Sequence, residues 1–192
     1  MTPQRRIVGL CGLSGAGKTT LLRSIANFTD ICCLSASTII QESRYATLSQ
    51  DARADLRLQD IDDNQVRFVN GFNERKHGTD KHLFFDCHVI IDSPAGIKPI
   101  SHEVFYEIGL TDLLFLRIDP MALLERRIRD ASRSRPERTV DELSQQQDIA
   151  LRAAEDIADR LGIALLILKD TPDAEFSSFI ATFSRRTKGG AE

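Results

Sequence analysis

The chain has no long hydrophobic run. Its longest late apolar stretch, Ile163 to Leu168, falls far short of the ~20 residues a helix needs to cross a bilayer. Near the start, Ile7-Val-Gly-Leu-Cys11 follows two arginines in the manner of a secretion signal. Gly15, Gly17 and Lys18 interrupt it before an apolar region of the required length can form. Both features lead to the expectation of a cytoplasmic protein with no membrane partner. Cysteine is scarce as well. Cys11, Cys32, Cys33 and Cys87 form no CxxC pair and no Cys/His ligand set, so buried free thiols are expected. A basic excess is also missing: 25 Lys and Arg face 28 Asp and Glu, for a net charge of −3. No whole-chain field therefore draws nucleic acid to it. Lysine in particular is rare, leaving nineteen of the 25 basic residues as Arg. There is no internal repeat and no low-complexity linker.

What is present is an ordinary globular composition over 192 residues, 42% hydrophobic and 28% charged. That length fits one domain, 1–192, with a sizeable core. Short apolar runs alternate with longer helical patterns. Ile7–Cys11, Ile31–Leu34, Leu83–Phe85, Leu113–Ile118 and Ile163–Leu168 read as strands. The first and last are near-continuous and apolar, as buried parallel strands require. Thr19–Phe28, Thr38–Leu48, Asn64–His77, Pro120–Asp130, Val140–Leu161 and a last stretch from Asp173 to about Arg185 read as helices. The alternation predicts right-handed βαβ units in a three-layer α/β domain. Two segments stand outside it: a helical insert over 35–80, and an Arg-rich stretch over 126–138 that reads as a mobile lid.

Gly12-Leu-Ser-Gly-Ala-Gly17-Lys18-Thr19 matches GxxxxGK[ST] at every fixed position, after a strand and before a helix. In this context glycines let backbone N–H groups converge on an anion at a helix N-terminus. The ATP-binding set is thus Gly12, Ser14, Gly15, Ala16, Gly17, Lys18, Thr19 and Thr20. Lys18 is expected on the β- and γ-phosphates and Thr19 on Mg²⁺. Asp86 ends the run Leu83-Phe-Phe beside the loop strand, where a carboxylate would meet that Mg²⁺; a capping or surface Asp is the alternative. Asp119, followed by Pro120, reads as a helix N-cap.

Arg126, Arg127, Arg129, Arg133, Arg135 and Arg138 fall within thirteen residues. Phosphoryl transfer needs positive groups around the migrating group, with water shut out. An Arg-rich lid could supply them; a solvated charged face or an RNA-binding patch is the alternative. Arg126, Arg127 and Arg129 read in part as a solvated face pairing with Glu125 and Asp130. Arg152, on the following helix, could point back at the site.

At these residues the chain resembles the archaeal-type adenylate kinases, a compact branch of the nucleoside-monophosphate kinases. More distantly it resembles the adenylate-kinase-like ATPases of ribosome biogenesis. The likeness runs over nearly the whole chain. Asp86-Cys-His88, followed by Pro94, Gly96 and Pro99, is similar to the family's D-x-H-x5-P-x-G-x2-P segment at identical spacing. The paired Arg126-Arg127, then Arg133-x-Arg135 and a helix carrying Arg152, resemble its lid. The resemblance implies a P-loop fold with a five-stranded parallel sheet of order 2-3-1-4-5, a helical insert that binds the monophosphate, and an Arg-rich lid. It implies ATP and Mg²⁺ as cofactors and a nucleoside monophosphate, AMP foremost, as acceptor.

On that footing Lys18, Arg133, Arg135 and Asp86 are the catalytic set, and Thr19 and Asp86 hold the metal. Ser37, Arg57, His88 and Arg152 serve the acceptor. Arg57 lies where the family has an Arg on the monophosphate, though it could instead pair with Asp55, Asp60 or Asp62. His88 either contacts substrate or ties down its loop. The sequence departs from the family in two places. Its loop is Leu-Ser-Gly-Ala-Gly rather than a Pro-Gly-Val-Gly-like form, closer to adenylylsulfate and sugar kinases. The D-G-x-P-R segment of ordinary adenylate kinases is absent. A kinase of another small metabolite, and a nucleotide-driven ATPase or interaction module, therefore stand beside the leading expectation.

Overall fold

The structure, a computed structural model, describes residues 4–45, 61–93, 96–130, 136–169 and 174–184. The first half runs β1 (Ile7–Cys11), α1 (Lys18–Ile25), β2 (Ile31–Ser35), α2 (Ala36–Tyr45), α3 (Ile61–His77) and β3 (His82–Asp86). Then come a hairpin of β4 (Ile90–Ser93) and β5 (Gly96–Pro99), and α4 (His102–Ile108). The chain continues with β6 (Asp112–Leu116), α5 (Pro120–Arg129), α6 (Val140–Leu161), β7 (Ala164–Leu168) and α7 (Ala174–Ser184).

The main sheet is parallel, in the order β2-β3-β1-β6-β7. Numbered among themselves, its strands run 2-3-1-4-5, the order the family resemblance implies. β1 sits in the middle with all five residues buried, which accounts for its unbroken apolar run. β7 departs from expectation. Its run is just as apolar, but the strand lies at the sheet edge and Ile167 is 41% exposed.

Successive residues of β3 show the layering. Phe85 turns toward α3, with its ring centre 5.0 Å from that of Phe72. Phe84 turns the other way, 5.0 Å from Phe183 of α7. Alternate strand residues face opposite sides, so helices cover both faces of the sheet. Gly71 lets α3 approach α2 closely: a Cβ there would stand 2.8 Å from Ile39 Cγ2.

Three elements are absent from the sequence reading, the two strands of the hairpin and α4. The antiparallel hairpin pairs Ile90 with Pro99 and Ser93 with Gly96. β5 is exposed throughout and holds a Gly and a Pro, so neither alternation nor β-propensity marks it. α4 has only seven residues, opened by Ser101 as N-cap and closed by Gly109 at φ 74°. The long α6 agrees with its expected bounds and is fixed at its start by a capping box between Thr139 and Glu142. No helix of the described residues is long and apolar enough to cross a membrane.

A phosphate-loop site at the carboxyl edge of the sheet

The loop leaves β1 at Gly12, whose φ is 139° and where a Cβ would stand 2.7 Å from the Leu116 carbonyl oxygen. Both the backbone angle and the close approach demand glycine there. Gly15 and Gly17 also have positive φ, 92° and 106°. Gly17 delivers the chain into α1, so the helix opens directly at the loop. Lys18 is buried, 7% exposed. Its Nζ donates to the carbonyls of Gly12 at 2.8 Å and Leu13 at 3.1 Å. The ammonium is thus held over the loop, within reach of an anion seated in it. Thr19 and Thr20 are exposed in the first turn of α1.

Asp86 ends β3, opposite Leu10 on one side and Ser35 on the other. Thr19 Oγ1 donates to its Oδ2 at 3.4 Å. Two oxygens on neighbouring corners of a Mg²⁺ octahedron stand about 3 Å apart, since each bond is about 2.1 Å. The pair would therefore suit a hard dication as hydroxyl and carboxylate ligands. His88, two residues on, is exposed. The thiols nearby are unreactive by environment. Burial pushes Cys11 up to about 12 against the opposing pull of Lys18, and raises Cys87 strongly. Both stay protonated at neutral pH; Cys32 and Cys33, also expected to be buried, are only half-buried.

The arginines of α5 divide. Arg129 is a surface residue that pairs with Glu125 at 3.0 Å, as its spacing suggests. Arg126 and Arg127 do more than line a solvated face. Both are half-buried. Arg126 Nη1 donates to the Ala16 carbonyl at 2.9 Å, and Arg127 Nε donates to the Ser14 carbonyl at 2.9 Å. Asp119 caps α5 as expected, accepting from Ala122 N at 3.0 Å, with Pro120 opening the helix.

Farther along the same edge, Ser35 and Ser37 bring their hydroxyls within 3.1 Å at the junction of β2 and α2, two strands from the loop and beside Asp86. The hairpin reaches three neighbours. Lys98 binds Asp62 of α3 at 2.8 Å. Asp92 accepts from Arg138 at 3.1 Å and from Gln146 Nε2 of α6 at 2.8 Å. Gln146 Oε1 is buried with no hydrogen-bond partner among the described residues. Sequence reasoning missed Asp92 and Gln146, because nothing in their local spacing points from one to the other. Gln147 ties α6 to the end of β6, its amide meeting Ile118 N at 3.1 Å and Ile118 O at 2.9 Å. Arg152 is exposed on α6. Arg57, Arg133, Arg135 and Pro94 lie outside the described residues.

The chain matches known proteins on the same features. Residues 11–144 match the family described as an AAA domain. The adenylate kinase of Sulfurisphaera tokodaii is 31% identical over 139 residues, covering 65% of this chain and 69% of that protein. The adenylate kinase of Thermoplasma acidophilum is 26% identical over 152 residues, or 73% and 76% of the two chains. The crystal structure of a sugar kinase from Janibacter sp. superposes with a TM-score of 0.54 at 17% identity, covering 94% of this chain and 95% of the other. At that identity the likeness speaks for the fold. With a matched loop, a parallel sheet of the expected order and these relatives, the chain belongs to the adenylate-kinase-like family of P-loop kinases.

Proposed function

We propose that the protein transfers the γ-phosphoryl group of ATP to a nucleoside monophosphate, with AMP the preferred acceptor, in the cytoplasm. The observation that carries this reading is the grouping of Lys18, Thr19 and Asp86 at the mouth of the phosphate loop, with Asp86 one strand from the Ser35–Ser37 hydroxyls. The names of the two adenylate kinase relatives support the choice of acceptor class. In this reading the N–H groups of the loop from Gly12 to Thr20 hold the phosphates of ATP. Lys18 leaves its carbonyl partners for phosphate oxygens. Thr19 and Asp86 hold Mg²⁺, which draws negative charge off the phosphates when bound. Arg133 and Arg135 close over the transferred group. Ser37, Arg57, His88 and Arg152 take the acceptor, Arg57 clamping its phosphate. No general base is needed, because a monophosphate is already an anionic nucleophile.

The second reading is a kinase of another small metabolite, favoured by the sugar-kinase fold likeness and the Leu-Ser-Gly-Ala-Gly loop. A phosphate-acceptor screen with ATP–Mg separates the two. ADP formation should rise far above the no-acceptor background with AMP, and less with CMP, UMP and GMP. Arg57→Ala should then raise the KM for AMP sharply and leave ATP affinity nearly unchanged. If no monophosphate lifts the rate and a sugar or other metabolite does, the second reading replaces the first. If no acceptor does, slow ATP hydrolysis tied to a partner is what is left.

A further inference from the structure

Four carbonyls of the phosphate loop are held by cationic side chains. Lys18 takes Gly12 and Leu13 from one side. Arg127 takes Ser14 and Arg126 takes Ala16 from α5. α5 lies directly against the loop there. A Cβ at Gly15 would stand 3.2 Å from Arg127 Cγ and 3.3 Å from Leu123 Cδ1, and one at Gly17 would stand 3.5 Å from Arg126 Nη1. The next arginine along shows what a surface role looks like: the Arg129 side chain is 77% exposed and pairs only one turn back, with Glu125. Arg126 and Arg127 instead reach 110 and 113 residues back along the chain to backbone oxygens.

The orientation of those oxygens has a consequence. A trans peptide sets its N–H opposite its C=O, and no cis peptide occurs among the described residues. Drawing the Ser14 carbonyl toward α5 turns the Gly15 N–H away from α5. Drawing the Ala16 carbonyl does the same to the Gly17 N–H. Successive N–H groups turned to one side form the concavity that receives an anion. Glycine backbones with φ of 92° and 106° do not hold that arrangement by themselves, because glycine populates many others.

We infer that Arg126 and Arg127 are positioning residues of the phosphate loop, whose guanidinium groups grip the Ala16 and Ser14 carbonyls from behind and so aim the Gly17 and Gly15 amides at phosphate. The inference rests on the reading of the loop as a nucleotide phosphate site. It makes α5 part of the phosphate-binding apparatus although the two arginines touch no ligand in this role. A charge-assisted donor to a carbonyl is also a contact that lysine can supply in part, unlike bidentate binding of phosphate.

The test uses Arg126→Met and Arg127→Met, which keep the aliphatic stem beside Gly15 and Gly17 but remove the donor, together with Arg126→Lys and Arg127→Lys. Two ligands are titrated, ATP–Mg and inorganic tripolyphosphate, which has neither base nor ribose. Each Met variant should keep the wild-type unfolding temperature and lose about tenfold in affinity for both ligands alike. Each Lys variant should recover most of that loss. In the ligand-free protein, the amide NMR signal of Gly15 should move in Arg127→Met and that of Gly17 in Arg126→Met, and both should return toward wild type in the Lys variants. Unchanged tripolyphosphate binding in both Met variants overturns the inference, because the arginines then serve only the base, the ribose or nothing. Ligand-free Gly15 and Gly17 signals that stay in place overturn it too, because the arginines then act on bound phosphate directly. A wild-type protein that binds neither ligand overturns the nucleotide reading itself, a result distinct from unaffected variants of a protein that does bind.

Discussion

The two edges of the parallel sheet are built from the same kinds of residue to opposite ends. At the amino edge, Arg6 is half-buried and its guanidinium is fully engaged by side chains. Its Nε and Nη2 meet both carboxylate oxygens of Asp112, its Nη1 meets Thr182, and its plane lies 4.8 Å and 4.4 Å from the ring centres of Phe179 and Phe183. Thr111 adds a further bond to Asp112 at 2.7 Å. Charge is matched by charge there, and aromatic surface covers it. At the carboxyl edge, Lys18, Arg126 and Arg127 rest on neutral carbonyls. These contacts set the cations against the backbone of the loop itself, where the Arg6 guanidinium is set against a carboxylate. The first edge ties a strand to its neighbour and to α7, and the second ties α1 and α5 to the phosphate loop.

That contrast can be broken most sharply at Lys18. Lys18→Ala should cut turnover by more than a thousandfold, about 4 kcal/mol of transition-state stabilisation. The unfolding temperature should stay near that of the wild type; full kinase activity in a folded variant would remove the loop from the chemistry. Next come Arg133 and Arg135. Replacing either by Ala should cost about a hundredfold in kcat, or ~3 kcal/mol, with little change in ATP affinity. Replacement by Lys should recover little, since lysine lacks the planar fork. Steady-state rates indistinguishable from wild type would return both to the solvated surface.

The amino edge gives the reverse pattern. Arg6→Ala strands the Asp112 carboxylate, whose side chain is 10% exposed. It should destabilise the fold by about 2 kcal/mol, less than a fully buried pair would because the Arg6 side chain is 30% exposed. Denaturant unfolding reads that loss, and kcat at a temperature where the variant is folded should be unchanged. The smallest effect is expected at the metal pair. Asp86→Asn keeps the shape and loses the charge, so the Mg²⁺ concentration for half-maximal rate should rise about tenfold. An unaltered Mg²⁺ dependence would make Asp86 a structural partner of Thr19 alone.

The sequence was most legible where structure is local. The strand Ile7–Cys11, the glycines at 12, 15 and 17 and the opening of α1 lie within one unbroken stretch, and each residue type is dictated by a backbone angle or a contact nearby. The burial of β1 and the length of α6 follow from periodic patterns. The rest of the site was opaque for a physical reason. Arg126 and Arg127 sit beside acidic residues that offer an adequate local partner, so nothing in the spacing says that they reach backwards to the loop. The β4–β5 hairpin pairs residues too few and too exposed to carry a hydrophobic signature. The edge position of β7 is a property of the whole sheet rather than of its own residues.

The hairpin's three attachments differ in how they respond to ionic strength. Lys98 and Asp62 meet in the open, with side chains 49% and 78% exposed. Their attraction fades as the screening length shortens from ~10 Å at 0.1 M salt to ~3 Å at 1 M. Arg138 and Asp92 are more enclosed, at 31% and 16%, and the Gln146 amide braces the same carboxylate without a charge of its own. Added salt therefore weakens the hairpin's ion pair with α3 more than its ties to Arg138 and α6. A strongly ionic buffer would loosen the two flanks of the site unequally, the insert side before the α6 side.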